Sequence, residues 1–121
     1  MIDNDSLKSP FAILENEQLS SVIFVQNYLQ LDFDGNRLTC FRWPIVVVKG
    51  LFYSFDEPGF RDKLCEVISR KVTQTLFTEH IVLKIYFDDD SQIQLDLKIG
   101  PNEKIHEVGT FTDINKNWSF F

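Results

Sequence analysis

The stretch Ile81–Ile99, IVLKIYFDDDSQIQLDLKI, decides the fold. Before the aspartates, Leu83, Ile85 and Phe87 fall on one side of an extended chain. After them, Ile93, Leu95, Leu97 and Ile99 alternate with Gln92, Gln94, Asp96 and Lys98. A repeat of two places every second side chain on the same face, so this is a pair of half-buried strands joined at the acids. Asp88, Asp89 and Asp90 are then either a cation site or the polar tip of a hairpin. A calcium loop takes roughly six to eight oxygens at set positions and ends in a glutamate. The run Asp88-Asp89-Asp90-Ser91-Gln92 has neither the spacing nor the glutamate, so a solvated turn is the reading it supports, and no metal is expected.

Working outward, Val72 to Phe77 is strand-like and Thr78-Glu79-His80 is a turn, which makes residues 72–99 a three-stranded meander. The earlier stretch Leu29–Leu38, LQLDFDGNRL, carries the same pattern. Phe33 lies opposite Phe87 and Asp34 opposite Asp88, with one extra residue in the second turn. Residues 19–43 therefore form a first meander: an apolar run Val22–Val25, a break at Gln26-Asn27, an alternating strand to Phe33, a turn at Asp34-Gly35-Asn36, and a third strand through Leu38 and Cys40. This leaves internal duplication open, since any two hairpins share alternation. Pro44 marks a change of direction, and Ile45–Val48 suits a short strand covered on both faces.

Two helices are expected. Ser9 caps and Pro10 starts a short N-terminal one, from which Phe11, Ile13 and Leu14 reach a core. Residues 56–70 form the principal, amphipathic one, with Asp56 as cap, Glu57 and Pro58 in the first turn, and Phe60, Leu64, Val67 and Ile68 at helical spacing. The fold class expected is α+β: about six antiparallel strands in two meanders, one helix packed on the sheet and a short N-terminal helix, in a single domain over residues 1–121 with a C-terminal segment at 100–121.

The chain has 121 residues, 44% of them hydrophobic, with twelve Phe. That suffices for a core without disulfides, because a buried Phe contributes about 1.5–3 kcal/mol. The N-terminus is polar and acidic where a signal peptide is basic and apolar, and no run approaches a membrane span, so a soluble, reducing, cytoplasmic setting with two free thiols is expected. The net charge is −6, which argues against nucleic acid and anionic membrane as partners, both of which need a concentrated basic face.

No catalytic constellation is visible. Cys40, Cys65, His80 and His106 contain no close ligand pair. Cys65 beside Leu64 and Cys40 beside Leu38 read as small core residues. The glycines are scattered, so no phosphate-binding loop exists, and neither H-E-x-x-H nor G-x-S-x-G occurs. No cofactor is expected. A pocket between helix and sheet using Cys65, His80 or Tyr86 is the enzymatic or small-ligand alternative.

The aromatic residues point elsewhere. Phe41 and Trp43 face away from Leu38 and Cys40, and the chain closes on Trp118, Phe120 and Phe121. Either the fold covers these five or they form an interface, for which a homodimer is the commonest arrangement.

The stretches Leu19–Leu38, RWPIV at 42–46, FRDKLCEVISRKVTQT at 60–75 and Tyr86–Glu103 resemble small bacterial proteins in which a Phe-Asp-Asp-Gly-Ser hairpin precedes a Gly-Pro-acid stretch. Here Asp90 stands at the turn glycine and Asn102 separates Gly100-Pro101 from Glu103. The resemblance implies a β-rich domain and no activity. The function expected is a non-enzymatic protein-interaction module. An acidic immunity-type protein that neutralises a basic partner is a second alternative beside the pocket.

Overall fold

The computed structural model describes residues 9–101 and 108–121. His106 and Glu103 lie outside them. Among the described residues ten strands run in chain order: β1 (Ser21–Val25), β2 (Tyr28–Phe33), β3 (Asn36–Cys40), β4 (Ile45–Val48), β5 (Leu51–Tyr53), β6 (Val72–Thr78), β7 (Val82–Phe87), β8 (Gln92–Asp96), β9 (Gly109–Thr112) and β10 (Trp118–Phe120). They form two five-stranded antiparallel sheets, ordered β1-β2-β3-β9-β10 and β5-β4-β8-β7-β6. Both meanders read from the alternation are present as β1-β2-β3 and β6-β7-β8.

The helical content is smaller than the sequence pattern suggests. Among the described residues it consists of one α-helix, α1 (Phe60–Glu66), and a 3-10 turn at Pro10–Leu14, so the protein is β-rich rather than an α+β fold with two helices. Local bonds explain the shortening. Ser54 closes its own turn instead of leaving the acids to cap a helix: its N–H donates to Glu57 Oε1 at 2.7 Å and its hydroxyl bonds Asp56 Oδ1 at 3.2 Å. Gly59 then enters α1 at φ 89° with no side-chain cap. At the other end Ser69 turns left-handed, φ 80°, and donates to Leu19 O, while Leu19 N–H donates to Arg70 O. Tertiary pairing with residues 16–19 thus takes the backbone groups that another helical turn would need. The expected Ser9 cap is in place, accepting from Phe11 N–H at 3.1 Å.

One buried cluster joins the layers: Leu29, Leu31, Phe33, Leu38, Cys40 and Phe111 from the first sheet, Val46, Leu83, Ile85, Phe87, Ile93 and Leu95 from the second, with Phe11, Phe60 and Leu64 between them. Phe11 is its hinge, with ring centroids 5.0 Å from Phe77, 5.1 Å from Phe111 and 5.3 Å from Phe121. After Cys40 the chain crosses from one sheet to the other. Arg42 spans the crossing, donating to the carbonyls of Asp96 and Lys98 at 2.7 and 2.8 Å.

The two sheets share one plan. In each, a meander is flanked by a hairpin whose first strand pairs with the meander's third: β9 with β3, β4 with β8. Each hairpin comes from the opposite half of the chain. The register agrees as well. With Phe33 over Phe87 and one residue skipped in the turn, Leu38 pairs Phe111 as Ile93 pairs Val46, and Thr39 pairs Thr110 as Gln94 pairs Ile45. Among the described residues the buried polar side chains are Asn36 and Ser91, and they occupy the same place, just after the turn of each meander.

Candidate functional site

Edge strand β10 carries the largest exposed aromatics. Trp118 is 65% and Phe120 62% accessible. Their orientation follows from the ladder. Phe121 and Gly109 exchange both backbone bonds, Phe121 N–H to Gly109 O at 3.1 Å and Gly109 N–H to Phe121 O at 3.2 Å. In an antiparallel pair bonded and non-bonded positions alternate, so Ser119 faces β9 while the N–H and C=O of Trp118 and Phe120 point off the sheet. Their side chains lie over Thr112 and Thr110 on the outer face, with ring centroids 6.0 Å apart. The result is an uncharged edge with free hydrogen-bonding groups and two aromatic rings.

The other residues singled out in the sequence divide. Phe121 packs against the core and against Phe11. Trp43 is half-buried, stacked on Phe55 with centroids 4.0 Å and planes 10° apart, and the Arg61 guanidinium sits 5.4 Å from the Phe55 ring and 5.5 Å from that of Phe24. Phe41 remains exposed on the first sheet, edge-on to Tyr28 at 6.1 Å. Of the five aromatics, Trp118, Phe120 and Phe41 face solvent. The sequence gives no sign of this split, because a strand of three residues is too short to show a period from which the inward face of Trp118 to Phe121 could be read.

Cys65, His80 and Tyr86 are not brought together. Cys65 is exposed on α1, about 100° around the helix from buried Leu64, which corrects its reading as a core residue. The His80 side chain stands in the β6–β7 turn, 3.5 Å from the Glu79 carboxylate. Tyr86 has the opposite parity from Ile85 and Phe87 and so faces away from the core; it is separated from His80 by the length of β7, roughly 20 Å at the rise of a strand. Phe60 and Leu64 are buried under α1, and the C-terminal end of the helix borders the recess described below. Cys40 is in the core as expected, and burial pushes its thiol up to about 12.

The triple aspartate is a hydrogen-bonded turn. Asp89 Oδ1 accepts from Ser91 N–H at 3.1 Å and from the Ser91 hydroxyl at 2.5 Å, and Arg70 Nε lies 3.2 Å from Asp89 Oδ2. Partial burial works to raise the Asp89 carboxyl, but the Ser91 bonds and the Arg70 charge outweigh it and hold the carboxyl below its ordinary value. Lys49, Glu66, Arg70, Asp89 and Ser91 line a polar recess of about 320 Å³ here. Its charges balance in number, two cations and two anions, and Arg70 with Asp89 is an ion pair within it. Among the described residues no three His, Cys, Asp or Glu side chains come together as metal ligands, and no helix is long and apolar enough to cross a membrane. No protein-family model, curated protein or solved structure matches the chain.

Proposed function

We propose that this protein is a non-enzymatic interaction module that works as a homodimer joined edge to edge through β10. The observation that carries the reading is the outward-facing Trp118-Ser119-Phe120 edge, which is self-complementary. Placed antiparallel to its own copy about Ser119, it sets Trp118 of one protomer opposite Phe120 of its partner and the reverse. At both positions the backbone groups already point toward the second strand. Aromatic cross-strand pairs contribute about 0.5–1.5 kcal/mol each and net hydrogen bonds a similar amount. Charge favours this edge too: the chain carries −6, and an edge free of charged residues is where two copies meet with least repulsion.

A three-residue strand makes a small contact, and association costs several kcal/mol before any surplus appears. The dimer therefore belongs at the weak end, with Kd on the order of 0.1 mM. Light scattering across a concentration series is the test. Wild type is expected to move from monomer to dimer around that concentration, while the double variant Trp118→Lys, Phe120→Lys stays monomeric over the same range with an unchanged far-ultraviolet β-sheet spectrum. A wild type that remains monomeric well above it, or a folded double variant that dimerises like wild type, overturns the proposal.

A further inference from the structure

The shared plan of the two sheets assigns β10 a counterpart. Phe111 of β9 and Val46 of β4 hold the same position beside their meanders, and they pair with Ser119 and Tyr53 respectively. Trp118, opposite Thr112, therefore corresponds to Phe52, opposite Val47. The backbone agrees. The β4–β5 turn has Lys49 at φ 53° and Gly50 at φ 78°, the two left-handed residues of a tight hairpin in which the flanking pair Val48 and Leu51 is hydrogen-bonded. By alternation the N–H and C=O of Phe52 point off the sheet, as those of Trp118 do. The ring is exposed as well, at 60%.

The meander edge of the same sheet is guarded, and β5 is not. At β6 a bulge between Val72 and Gln74 breaks the register, and the Glu15 carboxylate takes the Thr75 N–H at 3.3 Å. Bulges and charges of this kind are how sheets prevent edge pairing. Leu51-Phe52-Tyr53 has neither within the strand, and its length is uncharged. We infer that the chain consists of two like halves that have exchanged hairpins, and that this symmetry gives it a second self-docking edge at β5, centred on Phe52 and occupied by β5 of another copy.

The inference rests on the β10 reading and extends it: two self-pairing edges on one chain link copies into an open row instead of closing at a dimer. The β5 contact is the weaker, because only Phe52 offers outward backbone groups there; the next N–H, that of Ser54, is already taken by Glu57. Light scattering at roughly tenfold higher concentration than the β10 transition separates the two. Wild type is expected to rise past the dimer mass, Phe52→Lys to stop at the dimer, the β10 double variant to reach only a dimer, and the triple variant to stay monomeric, each with the wild-type far-ultraviolet spectrum. Phe52→Lys assembling as far as wild type, or wild type never exceeding a dimer, overturns the β5 inference and leaves β10 standing. A β10 double variant that keeps the first, tighter transition overturns the β10 reading instead.

Discussion

Gly109→Ala is the sharpest test of how the last two strands are held. At an ordinary strand position, replacing Gly by Ala relieves an entropic cost and stabilises by roughly 0.5–1 kcal/mol. Here the added Cβ would meet the Thr39 carbonyl oxygen at 2.3 Å and the Phe121 ring at 2.5 and 2.9 Å. Ordinary contact begins near 3.4 Å, so the carbonyl and β9 must separate by about 1 Å and the ring must leave its place on Phe11. A shift of that size takes N–H···O bonds of 2.8–3.2 Å out of range. Those at risk are Phe41 N–H to Val108 O and the Phe121–Gly109 exchange, each about 0.5–1.5 kcal/mol net. Loss of Phe121 burial adds up to about 1.5–3 kcal/mol. The expected destabilisation is about 3–7 kcal/mol, opposite in sign to the ordinary effect. Urea unfolding followed by tryptophan fluorescence reads it, since Trp118 sits on the detached hairpin. A variant as stable as wild type, or more so, would refute the close packing of β9, β3 and Phe121.

Two further predictions concern titratable groups. With a thiol reagent the folded protein is expected to modify Cys65 rapidly and Cys40 only on unfolding. Because the folded Cys40 pKa lies near 12 against an ordinary 9.0, its contribution to stability is complete below pH 9 and declines as pH rises toward 12; Cys40→Ala should flatten that alkaline loss in a denaturation series. Asp89 has the opposite sign: its folded pKa is lowered from 3.8, so its contribution is complete above that value and is lost as pH falls through the lower folded one. Asp89→Asn should cost about 0.5–1 kcal/mol at neutral pH, in the range of partly exposed ion pairs, and reduce the acid sensitivity below pH 4. Equal acid sensitivity in the variant would remove Asp89 from the account.

What the sequence determined by itself were the features set by local chemistry. The alternation of Leu29, Leu31 and Phe33, and of Leu83, Ile85 and Phe87, places all six in the core because a strand's parity needs no partner to define it. Turn residues were legible for the same reason, with Asp34 and Gly35 at positive φ and Ser9 capping Phe11. Tertiary structure decided what parity and propensity leave open. Strands β5, β9 and β10 are three or four residues long, too short to show a period, and exist because a neighbouring strand supplies their hydrogen bonds. The principal helix shrank because residues 69–72 bond the backbone of 16–19 instead of continuing it. The exchange of hairpins between the sheets is likewise invisible in the chain, since alternation says which face a residue takes but not which strand lies beside it. That same pairing turned Phe121 inward and left Trp118 and Phe120 on the open edge.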